Sequence, residues 1–244
     1  MTSPTPISLD DFHNSTPEAQ RAYYGENGFT VVPGAIKPDH LADILADIDR
    51  LAWGEKQHDF WTSPAVARLV ENEAVLAAVR NLYGADIRFF KGVYVARPPG
   101  QRVAGDLGRQ GLHIDWGTAE NAQDLRNFSA SWVNIGFYFT DLTPDHGPLY
   151  VVPGSHRRYE IGPNRSLEHM ARDARMVLAR GGDAVLFHCY TVHAGGYNFS
   201  QTSRRAIFLS YRPAWAERPD HAVVWPDKLI ATASPELRRL LMGN

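Results

Sequence analysis

Gly147-Pro148-Leu149-Tyr150-Val151-Val152-Pro153-Gly154-Ser155-His156 is a short apolar run with a turn at each end. Leu149 to Val152 has the β-branched and aromatic make-up of a strand, and the Pro and Gly residues on either side force the chain to turn. The same texture repeats over the second part of the chain. Candidate strands are Ile87 to Ala96, Leu112 to Trp116, Ser131 to Thr140, Met176 to Leu178, Ala184 to Phe187 and Arg205 to Tyr211. Pro98-Pro99-Gly100, the Pro144 to Pro148 cluster and Gly181-Gly182 separate them. The first third reads differently. A short strand at Gly28 to Gly34 is followed by helical periodicity in Leu41, Ile44, Leu45, Ile48 and Leu51, with Asp39 placed to cap that helix. Ser63-Pro64 opens a further helical stretch that Gly84 ends, and Ser234-Pro235 opens a short C-terminal helix. Helices first and many short strands afterwards predict a mainly β fold with flanking helices, an antiparallel double-sheet barrel carrying the helices on its outside.

Bulk properties narrow the function. The 244 residues carry a formal net charge of −2, with 44% hydrophobic and 21% charged residues. That balance is ordinary for a globular protein and gives no sign of a nucleic-acid or membrane partner. Cys189 is the single cysteine, so no intramolecular disulfide can form, and a reducing cytoplasm is the expected compartment. Met1 to Pro6 lack the charged and apolar regions of a signal peptide. One domain over 1–244 is expected: a helical part at about 1–85, a β-barrel at about 86–213 and a C-terminal extension at 214–244.

His113 and Asp115 lie in Gly111-Leu112-His113-Ile114-Asp115-Trp116. If this segment is a strand, the imidazole and the carboxylate project to one face, with Ile114 opposite. A second histidine completes two histidines and one carboxylate with open positions left, a set suited to Fe(II) enzymes that activate oxygen. Both His188 and His193 are candidates for it.

Four ordered blocks resemble the phytanoyl-CoA dioxygenase-like (PhyH) family of Fe(II)/2-oxoglutarate-dependent oxygenases. They are Gly111 to Trp116, Gly147 to His156, Gly182 to His188, and the run His193, Asn198, Ser200, Arg204 with its trailing Tyr211. The likeness spans roughly residues 20–213. It implies a double-stranded β-helix, a jelly-roll or cupin-like barrel. It also implies Fe(II) held by His113, Asp115 and His193, since the family's ligand falls eleven positions before Arg204. Arg204 is the implied anchor for the far carboxylate of 2-oxoglutarate, gripped by paired hydrogen bonds. With O2 this chemistry yields succinate and CO2 and usually hydroxylates a small-molecule substrate. Related halogenases have a small residue where Asp115 stands, so hydroxylation is the expected outcome.

Strand parity adds further candidates. Trp132 and Asn134 share one face and Lys91 and Val93 another, so Trp132, Asn134 or Lys91 can meet the metal-side carboxylate of the co-substrate. Trp116 can wall the site on the substrate side or pack beneath it. His188 is read as a structural neighbour, His156 as holding its own turn, and Asn198 and Ser200 as satisfying loop backbone. Placing Arg204 and Ala206 inside the barrel turns Ile207 and Leu209 outward under the helices. A non-redox metal-binding barrel, or a zinc hydrolase with the same ligands, is the competing reading. The polar, arginine-containing stretches 101–110, 118–129 and 157–175 give only a weak hint of an acidic or polar substrate.

Overall fold

The computed structural model describes residues 4–100, 111–115, 131–158, 167–216 and 225–242. Its strands are β1 (Thr5–Pro6), β2 (Phe29–Val32), β3 (Lys56–Gln57), β4 (Ile87–Arg97), β5 (Val133–Tyr138), β6 (Leu149–Val151), β7 (Arg175–Val177), β8 (Ala184–His188), β9 (His193–Gly195) and β10 (Arg204–Pro213). The helices are α1 (Asp10–His13), α2 (Pro17–Asn27), α3 (Pro38–Arg50), α4 (Pro64–Ala67), α5 (Glu73–Tyr83), α6 (Asp227–Thr232) and α7 (Pro235–Met242). Six strands form the larger sheet in the order β2-β8-β5-β10-β4-β3, and four form the smaller, β1-β7-β6-β9. The two sheets face each other as a double-stranded β-helix with helices outside.

Parity along β10 sorts the core into two layers. Ile207, Leu209 and Tyr211 face outward with Val133, Ile135 and Phe137 of β5 and meet Ile44, Ile48, Val75, Val79 and Leu240 of the helices. Ala206 faces inward with Tyr138, Val185 and Phe187, against Leu149, Val151 and Val177 of the smaller sheet. All six residues of β5 are buried because both faces of this central strand are covered. Each fully buried Leu or Ile in such a layer contributes roughly 1.5–3 kcal/mol. Tyr211 also fixes the helical layer by donating from its hydroxyl to Val70 O at 2.7 Å.

A β-bulge interrupts the pairing of β10 with β4: Ser210 pairs with Lys91, but Tyr211 pairs with Phe89. The extra residue, Phe90, puts two consecutive side chains on one face. Phe89 stays outside against Tyr211 and Trp225. Phe90 turns inward onto Trp132, ring centroids 5.8 Å apart. Lys91 shares its row with Ser210 and, across β10, with Asn134, so it also lines the inner wall.

Several local expectations are corrected. Asp39 does not cap α3; Lys37 is the N-cap, Pro38 takes the first position and Asp39 lies in the first turn. The helical stretch from Ser63 breaks at Asn72, whose side chain accepts from Val75 N and starts α5 afresh. Leu112 to Trp116 is not a strand: His113 alone makes a β-bridge, to His193, and Trp116 lies outside the described residues. The stretch 14–27 also holds α2, begun by Thr16 accepting from Ala19 N ahead of Pro17. Among the described residues no helix is long and apolar enough to cross a membrane.

Candidate metal centre and co-substrate pocket

The bridge between His113 and His193 builds the core of the site. Each backbone N–H donates to the other's carbonyl at 2.9 Å. Residues exchanging both bonds stand directly opposite with side chains on one face, so two histidines far apart in sequence share one corner of the barrel. Their ring centroids lie 4.3 Å apart. Each imidazole is also fixed in the same way. His113 Nδ1 donates to Gly111 O at 3.0 Å and His193 Nδ1 donates to Thr191 O at 2.9 Å, in both cases the carbonyl two residues earlier. Protonation at Nδ1 leaves the Nε2 lone pairs free to point at a common centre.

Asp115 supplies the anionic corner. Its Oδ1 is 3.8 Å from His113 Nε2 and its Oδ2 is 3.8 Å from His193 Nε2. One ligand atom from each residue falls within a span of 4.8 Å, and this is the group among the described residues that could hold a metal ion. A first-row divalent ion with bonds of about 2.1 Å fits there after a contraction of less than about 1 Å. Burial pushes the His193 imidazole below its ordinary pKa, against the opposing pull of Asp115, which keeps it in the neutral form a metal needs. The donor set, two imidazoles and one carboxylate with the remaining directions open, fits Fe(II).

His188 takes no part. Its Nδ1 accepts from Tyr190 N at 3.1 Å, and its Nε2 lies 3.5 Å from Ser131 Oγ. His156 ties a more distant pair of elements than its own turn, donating from Nε2 to Gly25 O at 3.2 Å. Its neighbour Ser155 accepts from Val192 N at 2.8 Å and so anchors the approach to β9. Asn198 donates to Arg97 O and Thr202 O, and Ser200 bonds back to Asn198. That pins the loop before β10.

Arg204 opens β10 on the inner face, in register with Arg97 of β4. It is 1% exposed, yet among the described residues no carboxylate neutralises it. Nη1 donates to Gly147 O at 3.3 Å, Nε is left without a partner, and the guanidinium lies over the Tyr138 and Phe208 rings. Burial pulls its pKa down to about 10, with Tyr138 opposing and Arg97 adding to the fall. Arg205, on the opposite face, pairs with Asp49 of α3 at 2.7 Å.

Arg97 was not singled out from the sequence, although the parity that carries Lys91 and Val93 inward carries Val95 and Arg97 with them. Its guanidinium lies so close over Gly195 that a Cβ there would sit 2.6 Å from Nη2. Gly195 follows His193 by two residues on β9. Arg97 therefore reaches the wall at Gly195, about 7 Å along the strand from His193. Trp132 and Asn134 reach the site through Asp115, because Trp132 Nε1 donates to Asn134 Oδ1 at 3.1 Å and Asn134 Nδ2 donates to Asp115 Oδ2 at 2.5 Å.

A jelly-roll barrel with two histidines and a carboxylate on its inner wall defines a non-haem metal oxygenase class. The phytanoyl-CoA dioxygenase (PhyH) family model matches residues 24–206, and the chain belongs to that family, which is Fe(II)- and 2-oxoglutarate-dependent and uses O2. The ectoine dioxygenase of Bordetella parapertussis is 23% identical, over 77% of this chain and 72% of that protein. The peroxisomal phytanoyl-CoA dioxygenase of Mus musculus is 24% identical, over 77% and 66%. Among solved structures, the carbocyclase SnoK of nogalamycin biosynthesis superposes with a TM-score of 0.65 at 24% identity, covering 86% of this chain and 87% of that one. HygX of Streptomyces hygroscopicus, with nickel and 2-oxoglutarate bound, gives 0.65 at 21%, covering 82% and 88%. These neighbours agree on the fold.

Proposed function

We propose that this dioxygenase hydroxylates an unactivated C–H bond of a small-molecule metabolite, with 2-oxoglutarate as co-substrate. One O2 then delivers one oxygen atom to the product and one to succinate, and CO2 leaves. The observation that carries this reading is the pairing of an open two-histidine, one-carboxylate group with Arg204, a buried cation that no carboxylate among the described residues neutralises. A zinc hydrolase has use for the first feature and none for the second.

In this reading His113, Asp115 and His193 hold Fe(II), which supplies the redox chemistry. Arg204 grips the far carboxylate of 2-oxoglutarate, fixing its direction through a planar fork of donors. Lys91 faces the pocket from the inner wall beside Ser210, and stands as the cation for the metal-side carboxylate. Trp132 and Asn134 support the same end. The protein's task is orientation and a dry cavity around the reacting atoms.

The test combines product mass with succinate release. Purified protein, Fe(II), 2-oxoglutarate and O2 are screened against polar and acidic metabolites. A gain of one oxygen with stoichiometric succinate supports hydroxylation. A loss of two hydrogens, or an unchanged mass, reassigns the outcome within the family. No decarboxylation with any substrate removes the proposal. His113→Ala and His193→Ala should each abolish tight metal binding and turnover, and His188→Ala should leave both within a few fold of wild type.

A further inference from the structure

Asp115 sits on a segment with little regular structure to hold it. Its backbone is tied by the His113–His193 bridge and by its own N–H donating to Cys189 O at 3.1 Å. Its side chain is about a third exposed, at 33%. Nothing in that local backbone sets the rotation of the carboxylate. Asn134, on the rigid central strand β5, is placed to set it.

The amide of Asn134 is itself locked. Oδ1 accepts from Trp132 Nε1 at 3.1 Å and from Ser210 Oγ at 2.7 Å. The indole N–H can only donate, so a flipped amide would set donor against donor, and the NH2 group must face Asp115. Its Nδ2 then meets Asp115 Oδ2 at 2.5 Å, a short bond to a charged acceptor. Trp132 and Ser210 thus fix the amide of Asn134, and Asn134 alone of the three reaches the carboxylate oxygen of Asp115.

We propose that Asn134 is a positioning residue for the metal: it holds Asp115 in a one-oxygen binding mode, with Trp132 and Ser210 fixing its own orientation. The inference rests on the metal-site reading above. With the amide bond intact, Asp115 cannot swing both oxygens onto the ion. One more coordination position therefore stays open for the keto acid and O2. Without the bond, the carboxylate is free to rotate away or to chelate with both oxygens, and either movement degrades the open geometry.

The test uses metal-free, full-length protein titrated with Mn(II), with unbound Mn(II) followed by electron paramagnetic resonance. Asn134→Ala and Asn134→Leu both remove the donor, and the second keeps the volume. Each should weaken Mn(II) binding 10- to 100-fold, the usual effect of losing a group that orients a metal ligand. Trp132→Phe and Ser210→Ala leave the donor but release its orientation, so each should weaken binding by about three- to tenfold. The thermal stability of the metal-free variants is measured beside these values, since a packing role moves stability alone. Mn(II) affinity within twofold of wild type in both Asn134 variants overturns the proposal. If neither variant folds, the Trp132 and Ser210 variants decide it, and wild-type affinity in both overturns it. A wild-type protein that binds no Mn(II) sinks the metal-site reading instead, a distinguishable failure.

Discussion

Replacing Arg204 with Met removes a charge whose burial costs stability. The residue is 1% exposed, with one hydrogen bond to Gly147 O and an orphaned Nε. Burial lowers its pKa from the ordinary arginine value to about 10. At about 1.4 kcal/mol per pKa unit, that fall corresponds to about 3 kcal/mol of folding free energy lost to the cation. The sign follows from linkage. A base whose folded pKa lies below its unfolded one is destabilising at every pH below the folded value, so the cost is fully present at neutral pH and fades only as the solution is made strongly alkaline. Methionine fills much of the volume without the charge. It gives up the Gly147 bond, about 1 kcal/mol, and the contact with the Tyr138 and Phe208 rings, about another 1 kcal/mol. The net effect is a metal-free protein stabilised by about 1 kcal/mol, a rise in Tm of about 2–4 °C for a chain of this size. The same variant loses a charge-assisted grip worth about 1.5–3 kcal/mol, so 2-oxoglutarate binding should weaken about 10- to 100-fold. Calorimetric melting of the metal-free protein and a 2-oxoglutarate titration of the Mn(II) form read the two effects separately. Arg205→Ala is the control, because that side chain pairs with Asp49 on the outer face and should leave the titration unchanged. A Tm that falls by more than about 5 °C in Arg204→Met would show that the folded protein already compensates the charge, and the reasoning fails. Unchanged 2-oxoglutarate affinity would remove the anchor assignment by itself.

Two glycines give contrasting predictions. The nearest neighbour of a methyl at Gly195 is the far end of the Arg97 side chain, so Gly195→Ala should melt within about 2 °C of wild type while displacing that guanidinium and weakening 2-oxoglutarate binding at least threefold, read by the same titration. A methyl at Gly92 would lie 2.4 Å from Phe60 Cε1 and 2.9 Å from Leu209 Cδ2 in the closed outer layer, so Gly92→Ala should cost about 1–3 kcal/mol in urea unfolding, with Mn(II) affinity retained.

The period-two pattern of β10 makes its two faces legible in the sequence: Arg204 and Ala206 lie inside, Ile207 and Leu209 under the helices. Asp115 and His193 were legible as partners of His113 from ligand chemistry and family likeness, even though the supposed strand at Leu112 to Trp116 reduces to one bridge. That bridge is a tertiary contact. Its two halves lie eighty residues apart, so nothing local in Gly111 to Asp115 announces it. β9 is hidden for the same reason, since His193-Ala194-Gly195 has little strand propensity and pairs because β6 presents an edge. The bulge at Ser210/Tyr211 escapes a parity argument altogether, because one extra residue has no compositional mark. Other misses were readable. Thr16-Pro17-Glu18 is a cap followed by Pro at the first helical position, which marks the start of α2. Arg97 follows from the inward parity already applied to Lys91.

On the proposed assignment, the charges along the inner wall explain why metal and co-substrate would share one site. Asp115 stands at the metal end, while Arg204 and Arg97 stand in register at the other, so the wall is polarised along the direction of β9. A dianionic keto acid entering alone would find two guanidiniums for its far carboxylate but would bring its near carboxylate toward Asp115, an unfavourable approach in a low-dielectric interior. A divalent cation entering alone satisfies Asp115 and leaves the Arg204 charge without a carboxylate among the described residues. Together, the cation and the dianion add no net charge, and each covers the end that the other leaves exposed. The buried, depressed pKa of Arg204 and the short bond from Asn134 to Asp115 are then two sides of one arrangement, in which the protein holds both ends fixed and the ligands complete the neutralisation.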